Sequence, residues 1–264
     1  MKNILTIAGS DSSGGAGIQT DLKTFLAHGM YGLSVVTSIT AQNTNGVLKT
    51  KDISASMVKA QLEALFDDIR VDAIKIGMVS KKSTILEIVK ILKNYPDIPV
   101  VLDTVMVSSS GFTLLKNSAL RVFIEELMPR ATLVTPNIPE ASKLLNMQIS
   151  SVKDMKIAAR KIRSSFKCQS VLLKGGHLEG DAVDVLYDGK KISTFKKRKI
   201  NSNNTHGTGC TLSSAITVNL ANEKSLKESI KNAKGYVRKT IKNGFIIGSG
   251  VGQLNHCYKR CRHE

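Results

Sequence analysis

The chain has 264 residues, of which 42% fall in the hydrophobic set. That is enough apolar material for a sizeable core, and it excludes a disordered tail protein or a mini-protein that needs staples. Lys plus Arg number 38 and Asp plus Glu 21, a formal charge of +17, which favours anionic partners (phosphorylated substrates, nucleotides or nucleic acid) unless it only reflects drift under AT-rich codon usage.

In chain order, residues 3–8 form a short apolar run bounded by Gly9, which predicts a strand. A Gly/Ser loop follows, then Ile18, Leu22, Phe25 and Leu26 at helical spacing. Residues 33–39 read as a second strand, and Val58, Leu62, Leu65, Phe66 and Ile69 as an amphipathic helix. Residues 73–76 predict a strand, 84–94 a helix, and 99–102 a strand ending at Asp103. A helix near 118–128 precedes a strand at 132–135. Pro139 suits the first turn of the next helix, and another helix spans about 152–166. Residues 171–173 make a buried strand, 183–199 a strand pair turned at Asp188-Gly189, and 210–222 and about 225–244 two last helices. This alternation predicts an α/β fold with a mainly parallel sheet covered on both faces. No linker, repeat or low-complexity stretch divides it, so residues 1–264 are expected to form one domain.

Cysteines at 168, 210, 257 and 261 are too few and scattered for a disulfide framework, which points to a reducing compartment. The apolar stretch 4–8 is too short for a signal-peptide core, and no run approaches the roughly 18 apolar residues of a membrane span. A soluble cytoplasmic protein is the expectation.

Ligands of open α/β sheets bind outside the carboxyl ends of the strands. Here those ends carry Gly9-Ser10-Asp11, Gly77-Met78, Asp103-Thr104, Thr135-Pro136-Asn137 and Lys174-Gly175-Gly176, a row suited to phosphate and sugar. The strongest local feature is Asn204-Thr205-His206-Gly207-Thr208-Gly209-Cys210 ahead of a helix. Gly207 and Gly209 let the backbone turn its N–H groups inward, and the helix N-terminus adds positive charge, as an oxyanion cradle requires. A Cys210 thiol in that field is expected to have a lowered pKa and to serve as base or nucleophile; the other reading is an inert buried cysteine.

The first loop, Gly9-Ser10-Asp11-Ser12-Ser13-Gly14-Gly15-Ala16-Gly17, is not a P-loop, because Gly15 stands where that motif needs Lys. It also lacks the G-x-G-x-x-G spacing of a dinucleotide fingerprint. Asp21, one turn into the next helix, either reaches a polar substrate group or is a solvated helix carboxylate. Asp103 and Glu140 are candidates to hold Mg²⁺ through water, although Glu140 also suits a helix N-terminus. Lys174 could neutralise phosphate charge. The run Lys196-Lys197-Arg198-Lys199 reads better as a charged edge strand than as a nucleic-acid site, because only 5% of residues are aromatic. His256, Cys257, Cys261 and His263 match no zinc spacing and fall in a terminus expected to fray.

The ordered segments LTIAGSDSSGGAGIQTDLKTF, TSITAQNTNGV, KIGM, VVLDTVM, TPNIPEA, LLKGGH and NTHGTGCTLSSA closely resemble the hydroxymethylpyrimidine and phosphomethylpyrimidine kinases of thiamine synthesis, in the ribokinase-like superfamily. The resemblance runs from residue 4 to about 220, and more loosely to GVGQLNH. It implies a three-layer α/β/α fold, usually a homodimer, and two successive phosphoryl transfers from ATP with Mg²⁺. The first goes to the hydroxymethyl oxygen of 4-amino-5-hydroxymethyl-2-methylpyrimidine, the second to the resulting phosphate. By motif, Asp21 and Gln42 would hydrogen-bond the pyrimidine, with Met78, Val105 and Thr40 around the ring. Residues 207–210 would form the anion hole, with Cys210 where most superfamily kinases carry an Asp. Asp103 and Glu140 would serve the metal, and Lys174 and Thr208 the nucleotide phosphates. Ser12 and Gln253 replace prolines usual in the family, a change expected to affect loop stiffness only, and Thr40 is polar where an apolar residue is common. Pyridoxal kinase on the same fold is the alternative enzyme, and a basic nucleic-acid-binding protein the alternative of another class. No membrane or nucleic-acid partner is expected.

Overall fold

The computed structural model describes residues 1–108, 111–176 and 178–259. The strands are β1 (Asn3–Asp11), β2 (Tyr31–Asn43), β3 (Gly46–Asp52), β4 (Ala73–Ile76), β5 (Val100–Leu102), β6 (Leu133–Val134), β7 (Val171–Leu173), β8 (Ala182–Tyr187) and β9 (Ile192–Lys197). Between and after them run the helices α1 (Gly17–Ala27), α2 (Ala55–Phe66), α3 (Lys82–Leu92), α4 (Asn117–Val122), α5 (Ile138–Leu145), α6 (Val152–Phe166), α7 (Thr208–Ala221) and α8 (Leu226–Lys242). One sheet takes the order β3-β2-β1-β4-β5-β6-β7-β8-β9. The six strands from β2 to β7 in that row are parallel, and β3, β8 and β9 are antiparallel additions at its edges.

Alternation along each strand decides the layers, since successive side chains leave opposite faces. Leu5 and Ile7 of β1, Ile74 and Ile76 of β4 and Val171 and Leu173 of β7 pack with Val58 of α2, Ile85 of α3 and Met155 of α6. On the other face Ile4 and Ala73 meet Phe25 of α1 and Val218 of α7, while Val101, Leu133 and Leu172 meet Ile216 of α7 and Ile230 of α8. This is the expected three-layer α/β/α arrangement. α7 is buried almost all round, so its polar side chains must find partners inside. Ser214 Oγ donates to Asp21 and Thr217 Oγ1 donates to the Ser213 carbonyl.

Three features depart from the sequence reading. β3 was not expected; its alternation is broken by Lys49 and Lys51, and it exists because it pairs with β2 across the Thr44-Asn45 turn. The helix expected near 118–128 is α for six residues and then a wider π turn over Phe123–Leu127. The C-terminal segment does not fray as far as it is described: His256 is buried, with its Nε2 3.1 Å from Thr211 Oγ1. Cys261 and His263 lie outside the described residues, and among those described no group of three His, Cys, Asp or Glu could hold a metal. The lysine-rich run begins on β9, an edge strand as expected. Among the described residues no helix is long and apolar enough to cross a membrane.

Candidate active site

At the carboxyl ends of the parallel strands lies a cavity of about 190 Å³. That is smaller than the roughly 300 Å³ at which drug-sized ligand sites begin, and it suits a single small ring. β1 contributes Gly9, Ser10 and Asp11, β2 Thr40 and Gln42, and the ends of β4, β5 and β7 Met78, Asp103 and Lys174. The β1–β2 register shifts between Ala8 and Gly9, and the β2–β3 register between Ala41 and Gln42. Such bulges re-aim side chains at strand ends.

Asp11 organises the first loop. Its Oδ1 accepts from Ser13 N and Ser13 Oγ, each at 2.8 Å, and its Oδ2 accepts from Ala16 N at 2.8 Å and Gly15 N at 3.2 Å. His206 Nε2 lies 3.1 Å from the same Oδ2. Burial pushes the Asp11 pKa up, but the bonds from His206 and Ser13 prevail and hold it below the usual carboxylate value.

The second loop closes on the first. Gly207, the N-cap of α7, has φ 77, and a Cβ there would stand 1.8 Å from the Gly15 carbonyl oxygen. Only glycine allows both the left-handed turn and this approach. No side chain caps α7, so the N–H groups of Gly209 and Cys210 stay open to an anion at the positive end of a 14-residue helix. A Cβ on Gly209 would lie 3.5 Å from Lys174 Nζ and 3.6 Å from Asp103 Oδ2, which places this cradle beside the charged pair.

Asp103 Oδ1 accepts from Lys174 Nζ at 2.8 Å and from Thr135 Oγ1 at 3.0 Å. Burial raises the Asp103 pKa, but the ammonium groups of Lys174 and Lys75 outweigh it and leave the carboxyl below its ordinary value. Glu140 is the third residue of α5 and closes a capping box with Asn137. Its Oε2 also accepts from Thr104 Oγ1 at 2.9 Å. Burial raises the Glu140 pKa, against the pull of Lys174. The helix-cap and metal readings of Glu140 are therefore compatible: capping uses Oε2 and leaves Oε1. Two hard carboxylates on one cavity wall next to an anion cradle fit a Mg²⁺ ion held largely through water.

Ten of the twelve residues singled out from the sequence line this one cavity: Thr40, Gln42, Met78, Asp103, Val105, Glu140, Lys174, Gly207, Gly209 and Cys210. Asp21 does not, which corrects its reading as a pyrimidine contact. It is wholly buried beneath the cavity, where Oδ2 accepts from Lys75 Nζ at 2.8 Å and Thr6 Oγ1 at 2.6 Å, and Oδ1 accepts from Ser214 Oγ at 2.7 Å. Thr208 is also off the wall, because its hydroxyl turns back to the Thr205 carbonyl at 2.7 Å. The expected lowering of the Cys210 pKa is overturned: burial pushes the thiol up to about 11, although Lys75 and a hydrogen bond from the Gly17 backbone pull the other way. Ser12 does more than alter loop stiffness. Its hydroxyl donates to the Gln42 carbonyl at 2.8 Å and accepts from Gln42 N at 2.9 Å. Gln253 N donates to the Phe245 carbonyl at 2.8 Å, a bond proline cannot make.

Sequence reading passed over Lys75, His206 and Asp11 as individual residues. Lys75 had a signal, a lone cation inside the apolar strand run Ala73–Ile76. His206 and Asp11 had none, because 195 residues separate the two partners.

Fold and site define an α/β phosphotransferase: a doubly covered sheet with a glycine-lined anion cradle, an ammonium and two carboxylates round a small cavity. The model of the phosphomethylpyrimidine kinase family matches residues 11–255, and the chain belongs to that family. It is 45% identical over 260 residues to the hydroxymethylpyrimidine/phosphomethylpyrimidine kinase of Rhizobium meliloti, covering 97% of each chain. The thiamine biosynthesis bifunctional protein of Geobacter sulfurreducens is 47% identical over 255 residues, and this chain spans 52% of its length. The crystal structure of an ADP complex of Bacillus subtilis pyridoxal kinase superposes with a TM-score of 0.91 at 40% identity, covering 99% of this chain and 100% of that one.

Proposed function

We propose that this kinase phosphorylates 4-amino-5-hydroxymethyl-2-methylpyrimidine and then its monophosphate, with ATP as donor, in thiamine biosynthesis. One observation carries the reading. A polar-edged ring wall of Thr40, Gln42, Met78 and Val105 shares one cavity with the Gly207, Gly209 and Cys210 cradle. The wall holds the ring and the cradle holds the migrating phosphoryl group; transfer then needs mainly position and charge stabilisation. Lys174 meets phosphate charge. Asp103 and Glu140 would hold Mg²⁺, which offsets charge on the nucleotide. Cys210 is protonated at rest, with about one molecule in 10⁴ as thiolate at pH 7. Only the thiolate fraction can take the hydroxymethyl proton, which leaves the oxygen as its bond to the phosphorus forms and the bond to ADP breaks. The second acceptor is already ionised and has less need of it.

An ATP-coupled assay tests this with the pyrimidine alcohol, its monophosphate and pyridoxal. Turnover of both pyrimidines is expected, and turnover of pyridoxal alone would overturn the reading. Pyridoxal is the second candidate because the Bacillus subtilis pyridoxal kinase shares the fold so closely. Gln42→Ala is expected to raise the pyrimidine KM more than the ATP KM.

The proposed setting is a single cytoplasmic domain working as a homodimer. Support for the dimer comes from Ile39, Leu48, Ile246, Ile247 and Val251, apolar and exposed on the β2–β3 hairpin and the segment bonded to its tip. Light scattering on the eluted protein reads its mass.

A further inference from the structure

The Gln42 amide faces two fixed partners, and together they settle which of its ends points where. As positioned, Gln42 Nε2 lies 3.3 Å from His206 Nε2, and Gln42 Oε1 lies 3.2 Å from Thr40 Oγ1. Both contacts conflict with their surroundings. His206 Nε2 is also 3.1 Å from Asp11 Oδ2, and an ionised carboxylate only accepts. That ring nitrogen therefore carries a proton and cannot accept from an amide N–H. The Thr40 hydroxyl is 3.1 Å from the Ser10 carbonyl oxygen, also an acceptor, so its single proton is claimed twice. A half-turn of the amide removes the facing pair of N–H donors and frees the Thr40 hydroxyl for Ser10, with the one His206 Nε2–H shared between Asp11 Oδ2 and Gln42 Oε1 as a three-centre bond. Gln42 Oε1 then accepts from His206, Gln42 Nε2 donates to Thr40 Oγ1, and Thr40 donates to Ser10.

We propose that His206, held by Asp11, is a positioning residue: it keeps the Gln42 carbonyl on its own side of the cavity and so sets the direction in which the substrate ring lies. The inference rests on the pyrimidine-kinase reading above. In this orientation one Oε1 lone pair and one Nε2–H remain for a ligand. An aminopyrimidine edge meets them in one sense only, with its amino group on the His206 side and ring nitrogen N3 on the Thr40 side. The hydroxymethyl arm sits on the carbon next to the amino-bearing one, away from N3. It therefore extends on the His206 side, toward Gly207 and Gly209, which follow His206 in the chain and line the same cavity. With the amide reversed, the 2-methyl group would face the cradle and the arm would point away from it.

The test couples His206 to the substrate's amino group. Wild type and His206→Phe are compared on the aminopyrimidine alcohol and on its analogue with hydrogen in place of the amino group. Wild type is expected to favour the amino substrate in kcat/KM by about tenfold or more. In His206→Phe that preference should shrink to about threefold or less, with the KM for ATP little changed, because the amide is then free to reverse. His206→Gln, which retains an N–H, should recover part of the preference. A merely structural histidine would depress both substrates alike, so an undiminished preference in a folded His206→Phe protein would overturn the assignment. Should that variant not fold, Thr40→Val removes the other partner and is expected to narrow the preference; no narrowing there also overturns it. If wild type leaves the aminopyrimidine alcohol untouched, the functional reading itself fails instead.

Discussion

The Lys75 ammonium lies 2.8 Å from Asp21 Oδ2, with both side chains wholly shielded from water. This pair joins β4 to α1 directly under the cavity, and Ser214 of α7 and Thr6 of β1 complete it. Burial opposes the Lys75 charge, but Asp21 and then the neighbouring Cys210 and Asp103 raise its pKa above the usual lysine value. Lys75 also reaches the cavity wall, so a fixed positive charge stands at the floor of the site.

Breaking a buried pair strands the surviving charge at a cost of about 3–5 kcal/mol, whereas replacing both partners by apolar residues costs far less. Asp21→Asn and Lys75→Met should each lower the urea midpoint strongly, and the double variant Asp21→Leu/Lys75→Met should recover much of that loss. All three should be poor enzymes. A single variant unfolding at the wild-type midpoint would show that the pair contributes nothing.

The raised Cys210 pKa fixes a sign for pH dependence. Below about 11 the thiol is mostly neutral, so the thiolate fraction grows roughly tenfold per pH unit from neutral pH upward. If the thiol takes the proton, the first transfer should accelerate with rising pH while the second stays nearly flat. Cys210→Ala should slow the first transfer by about 10²-fold or more and abolish its slope. Steady-state rates on the two acceptors from pH 6.5 to 9.5 check this.

Gly207→Ala should damage the cradle more than the fold. The new Cβ would meet the Gly15 carbonyl and must also adopt φ 77, a strain of about 1–3 kcal/mol. We expect a melting temperature a few degrees lower and a loss in kcat far beyond what that strain explains, since the N–H groups of Gly209 and Cys210 would turn away. Near-normal turnover would mean that the phosphoryl group is held elsewhere.

Acid stability follows from Asp11 and Asp103, whose folded pKa values lie below the ordinary 3.8. A lowered carboxylate stabilises the fold above its unfolded value, and that contribution is lost as pH falls through the folded value. Glu140 has the opposite sign: its raised value favours the protonated form, so acid relieves the cost of its burial. Buried His256 and half-buried His28 have pKa values that burial holds below the ordinary 6.5. They already favour the unfolded chain as pH falls below about 6.5. Melting temperature should therefore decline from there and more steeply below about pH 4, with a shallower final fall in Asp11→Asn.

How much could be read without the structure differed by residue. Asp103, Lys174 and Gly207 were legible because each ends a strand or opens a helix, where backbone direction alone says that it faces a ligand. β3 was not, because lysines interrupt its pattern and only pairing with β2 makes it a strand. Asp21 was placed on the pyrimidine by the family resemblance alone, since its spacing left a substrate contact and a solvated carboxylate both open. Helical spacing shows which turn a carboxylate occupies but not that Lys75, 54 residues away, occupies it from below.

Local chemistry along the chain, then, was sufficient for the α/β layering, the two glycine loops and the kind of anion they suit, since periodicity and turn residues act over a few positions. Tertiary structure alone decided the protonation of Cys210, the burial of Asp21 and the link from Asp11 through His206 to Gln42. Desolvation and charge pairing depend on which distant groups the fold brings within a few ångströms, and no local pattern carries that distance.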